Sequence, residues 1–146
     1  MNAKLALMIV LGASACVPVH EYEGEYEMTY DVVMTLPGKP GNVVAGLADV
    51  DVREGLKNDY LIDLGSSFCR LHGRYIEAKT PEDWPYLDIA PQPCWFVAGG
   101  RTFELSLAGT ATLDGDERFT LVMTGTYEDP ETHVRGGATV ELTESW

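Results

Sequence analysis

From residue 22 onward, apolar and polar residues alternate with a period of two, the spacing of strands whose successive side chains point to opposite faces. Tyr22, Gly24, Tyr26, Met28, Tyr30, Val32, Met34 and Leu36 alternate with Glu21, Glu23, Glu25, Glu27, Thr29, Asp31, Val33 and Thr35, which predicts one long half-buried strand with an acidic outer face. Pro37 to Asn42 mixes fixed and permissive φ angles and reads as a turn. Val44, Gly46, Ala48, Val50 and Val52 line one side of a second strand, and Gly55 to Asp59 turns the chain into a short third strand at Tyr60 to Leu64. A fourth strand is expected over residues 68–79, with Cys69, Leu71, Gly73 and Tyr75 on one face. The last third is the most regular. Phe103 to Leu113, Phe119 to Tyr127 and Val134 to Leu142 read as three strands, with Asp114 to Glu117 as the hairpin turn between the first two and Glu128 to Glu131 making the second connection.

The alternation stops at residues 80–94, which contain Pro81, Pro85, Pro91 and Pro93. Proline donates no hydrogen bond, so this stretch reads as one long irregular loop rather than a central strand, with a fifth element restarting at Cys94 to Ala98. No window carries a capped helical stripe. The pattern therefore predicts an all-β antiparallel meander of seven or eight strands. Gly24, Gly46, Gly73, Gly109, Gly125 and Gly136 sit on the apolar face, where they permit the sharp bending of a closed sheet, so a small barrel is preferred over a sandwich. An eight-stranded barrel is just wide enough to hold one small ligand.

The first residues follow a different logic. Lys4 is a positive start, Leu5 to Leu11 are unbroken apolar residues, and Gly12, Ala13, Ser14 and Ala15 are small. This is the layout of an export signal over residues 1–15, and it is too short to span a bilayer. Ala13-Ser14-Ala15-Cys16 resembles the lipobox of bacterial lipoproteins, although members of that family usually carry Leu, Val or Ile where this chain has Ala13. The resemblance implies cleavage before Cys16, attachment of diacylglycerol to its sulfur, and anchoring of the protein to a membrane of the bacterial cell envelope. Two or three acyl chains hold a protein stably where one gives only marginal binding. Ala13-Ser14-Ala15 also fits the small-residue rule of ordinary secretion, which leaves a soluble secreted protein as the alternative. Residues 16–20 then form a tether and residues 21–146 a single β domain.

Charge narrows the partners. The chain has 23 acidic against 10 basic residues and a formal net charge of −13, and loss of residues 1–15 removes one Lys and no acid. Nucleic acid and anionic membrane surfaces carry the same sign and are poor partners on that ground. Three cysteines are present. With Cys16 at the amino terminus, Cys69 and Cys94 are left to pair in an oxidising compartment, closing a loop worth about 3 kcal/mol in the chain-entropy model.

Candidate chemistry is sparse. Arg70, His72 and Arg74 share one face of the fourth strand and offer forked and point donors to a carboxylate or phosphate. The competing reading sets them outward, paired with the acidic row Glu23, Glu25 and Glu27. Trp84 and Tyr86 lie in the proline-rich stretch, where they are expected either to cover the mouth of a barrel or to offer a contact surface. The acidic clusters lack the ligand ladder of a calcium loop, and Cys69 with His72 has no second ligand pair, so neither metal nor cofactor is expected. No nucleophile motif surrounds His20, His72 or His133. These features point to a non-enzymatic envelope protein that binds a small apolar or anionic ligand in or at the rim of a barrel. A protein interaction or structural module is the rival.

Overall fold

Alternation of apolar and polar residues becomes eight antiparallel strands in the computed structural model, which describes residues 22–113 and 118–145. They are β1 (Gly24–Thr35), β2 (Asn42–Glu54), β3 (Asp59–Asp63), β4 (Arg70–Ile76), β5 (Tyr86–Ala98), β6 (Arg101–Leu113), β7 (Phe119–Glu128) and β8 (Arg135–Glu144). Each pairs with the next in sequence, and β8 pairs back onto β1 from Met28↔Glu144 to Thr35↔Gly137, closing the barrel. The expected export signal, Cys16, the tether and the Asp114 to Glu117 turn lie outside the described residues.

Closure depends on close backbone approach at small residues. A Cβ at Gly109 would collide with the carbonyl of Val122, and one at Gly125 with the carbonyl of Ser106. Both positions lie on the β6/β7 seam, paired as Gly109↔Met123 and Leu107↔Gly125. Only a residue without a side chain lets these two strands coil so tightly, and this is the geometry that turns a meander into a barrel.

The expected loop over residues 80–94 is corrected. Strand β5 begins at Tyr86 and runs through Pro91 and Pro93, with a register shift between Ile89 and Gln92 where it pairs with β6. On the β4 side the backbone ladder covers only Arg74↔Asp88 to Ile76↔Tyr86. Beyond it the Gln92 side chain takes over: its Oε1 accepts from the His72 N–H at 2.9 Å, and its Nε2 donates to the His72 carbonyl at 2.9 Å. One amide side chain thus replaces the backbone pairing that the flanking prolines cannot supply. The Cys69–Cys94 disulfide, with Cα atoms 5.1 Å apart, crosses the same seam. Next to it, the Val97 N–H donates to the Ser67 carbonyl at 2.9 Å.

Candidate functional site

The two ends of the barrel are filled by aromatic side chains. At the end where β1 begins, buried Tyr22 packs edge-on against Tyr60 at 5.9 Å, Tyr75 at 6.2 Å and Phe119 at 6.4 Å, and its hydroxyl donates to the Pro85 carbonyl at 2.9 Å. Tyr26 stacks on Phe119 at 4.5 Å. Burial, and then the nearby Glu144 carboxylate, push the Tyr26 hydroxyl up to about 12. Burial also raises Tyr60, helped by Glu54 and Glu23. These hydroxyls stay neutral at physiological pH, and the carboxylates around them make this end hostile to an anion. At the other end Phe68 stacks on Phe96 at 4.6 Å, Tyr30 meets Phe68 edge-on at 5.1 Å, and Phe103 lies 6.4 Å from Phe96. Between the two clusters Met28, Val32, Ile62, Leu71, Leu107, Leu121, Met123 and Val140 are buried.

The residues proposed for ligand binding do not converge. Arg70, His72 and Arg74 are exposed on the outer face of β4 while Leu71, Gly73 and Tyr75 point inward. Their neighbours differ from the expected acidic row. Strand β1 pairs with β2 and β8, so Glu23, Glu25 and Glu27 are not beside the stripe; instead Arg70 is opposite Asp63, and Arg74 lies between Asp59 and Asp88. The reason is the strand order, which inserts β2 and β3 between β1 and β4. Arg70 Nε is 3.3 Å from an Asp63 carboxylate oxygen. Trp84 is 62% exposed in the connection between β4 and β5, and Tyr86, half-buried, opens β5 opposite Ile76. Ile76 stands six positions along β4 from Arg70, which is about 20 Å of strand. Tyr22, not Trp84, covers the core at that end.

A more open feature lies near Arg70. Strand β3 is five residues long, so it covers only Asp51 to Glu54 of the thirteen-residue β2. Where it ends, the chain turns through Gly65 to Phe68, and a depression of about 610 Å³ opens to solvent between Asp63, Gly65, Ser66, Phe68, Arg70 and Trp95. A comparison with family models, curated proteins and solved structures finds no match. Among the described residues no three His, Cys, Asp or Glu side chains gather as a metal-binding group. The alternation that points Cys94 and Phe96 inward also turns Trp95 outward.

Proposed function

We propose that this protein is a non-enzymatic lipoprotein of the bacterial cell envelope, anchored through Cys16, whose barrel acts by docking another envelope protein on its outer surface. The observation that carries the docking half is the filling of the barrel. Two aromatic clusters occupy its ends and large aliphatic side chains occupy the space between them. Burying such side chains is worth about 1.5–3 kcal/mol each, so a ligand inside would have to displace groups that hold the fold together. The exposed groups lie outside, including Trp84 and the Arg70, His72 and Arg74 stripe. An extracytoplasmic setting agrees with the Cys69–Cys94 disulfide.

One observation favours a second reading, a small anionic ligand at the rim, because the depression beside Arg70 combines a guanidinium with the Trp95 ring. Arg70 already faces Asp63 there, which weakens it as an anion partner. Native mass spectrometry of the protein released from membranes separates the two. The docking reading expects the mass of the chain with its lipid and nothing more. A small molecule retained at one copy per chain, and lost in Arg70→Ala, would establish the rim ligand instead.

A further inference from the structure

A closed barrel has no sheet edges, but this one leaves an edge open along half of one strand. The ladder between β2 and β3 runs only from Asp51↔Asp63 to Glu54↔Tyr60. Counting back from the hairpin bond in which the Gly55 N–H donates to the Asp59 carbonyl at 2.7 Å, odd-numbered residues of β2 direct their backbone groups toward the β3 side. Toward β1, β2 is paired from Asn42 to Val52. On its other side, among the described residues, no strand runs beside Val43, Ala45 and Leu47. Their side chains face outward, Val43 at 60% and Leu47 at 72% exposure. The inward residues Val44, Gly46 and Ala48 are only half-buried, and the Tyr30 ring lies against Gly46. Proteins ordinarily blunt such an edge with lysine, proline or a bulge, and this segment has none of them.

The charges beside the edge say what fits it. Glu27 stands directly opposite Asp49, and Asp31 directly opposite Glu141, each pair on the outer face. Like charges set opposite one another across strands destabilise a sheet, and among the described residues none of these four carboxylates has an ion-pair partner. Arg53 pairs instead with Asp51 at 2.9 Å, and Arg70 with Asp63 at 3.3 Å.

Resting on the docking reading above, we propose that Val43 to Leu47 is the docking site for an extended basic segment of a partner protein, added to β2 as an extra strand. Its main chain satisfies the free N–H and C=O groups of Val43, Ala45 and Leu47. Alternate apolar side chains turn inward over Tyr30 and Val44, and basic side chains turn outward toward Asp49 on β2 and, across it, Glu27 and Asp31 on β1. A second copy of this chain is the poorer occupant, because it brings the same acidic rows, and a net charge of −13, against themselves.

The test uses the full-length chain carrying Cys16→Ser and a capped seven-residue peptide of alternating lysine and valine. Amide hydrogen exchange should slow at least tenfold at Val43, Ala45 and Leu47 on saturation. A peptide of alternating glutamate and valine should leave these amides unprotected. Ala45→Pro removes one edge N–H at a position where an edge strand tolerates proline, and should weaken binding at least tenfold. If that variant fails to fold, Leu47→Lys, which sets a cation on the outer face, should weaken binding by a similar factor. Equal binding of both peptides, protection elsewhere, or protection of these amides by self-association without peptide each overturns the proposal. If peptide binding fails while a partner is found on another outer face in the cell, the edge assignment falls and the docking function stands. If no protein partner is found on any face, both fall.

Discussion

Full-length protein carrying Cys16→Ser should leave the membrane pellet and appear almost entirely in the soluble fraction, while the unchanged chain stays with the membranes. On the proposed anchoring through Cys16, loss of the thiol removes the acceptor for diacylglycerol. The apolar stretch Leu5 to Leu11 is too short to span a bilayer, so on this proposal it does not replace the lipid. Each buried methylene of an acyl chain contributes about 0.8 kcal/mol, so losing the two or three chains that the proposed lipidation would add turns stable attachment into none. The barrel itself should be unaffected, and far-ultraviolet circular dichroism of the soluble variant should match that of the detergent-extracted parent. Equal partition of the two proteins would remove the anchor from the account and leave ordinary secretion.

Gly125→Val should prevent the barrel from folding, and Gly125→Ala should cost about 3 kcal/mol, near the upper end for overpacking in a well-packed interior. For a domain of this size that corresponds to a melting temperature lower by about 10 °C. The cause is local. The carbonyl of Ser106 occupies the space a Cβ at residue 125 would need, and moving it opens the β6/β7 ladder on which the barrel closes. Thr124→Val, one residue away but exposed on the outer face, should change stability by less than about 0.5 kcal/mol. Thermal unfolding of the three variants decides the matter. If Gly125→Ala melts with the parent, close approach at this seam is not what holds the barrel shut.

Most strands were legible because alternation is a direct consequence of having one face in the core. Residues 103–113, 119–127 and 134–142 carry it without interruption, and they form β6, β7 and β8 within a residue or two of the expected ends. The glycines on the apolar face were also informative, and Gly109 and Gly125 bend the sheet as expected. Strand β5 was hidden because proline normally argues against a paired strand. Nothing in the local pattern reveals that the Gln92 amide will reach across to His72 and supply the missing bonds. The short reach of β3 was hidden for a different reason. Strand periodicity gives which face a residue occupies but not how far its neighbour extends, so the free edge at Val43 to Leu47 became visible only once the pairing was known. Arg70, His72 and Arg74 were correctly grouped on one face, whereas their actual neighbours, Asp59, Asp63 and Asp88, depend on strand order.

The proposed docking function puts the working surface of the protein on the outside of the barrel and not in its interior. Site-specific photo-crosslinking in living cells addresses it most directly, with the reactive side chain placed in turn at outward Leu47, outward Trp84 and inward Phe103. The account predicts a discrete protein adduct from Leu47, abolished by Ala45→Pro on the same chain, and no adduct from Phe103. A small-molecule adduct at Phe103, with no protein adduct from either outer position, would contradict it and return the function to a ligand held inside the barrel.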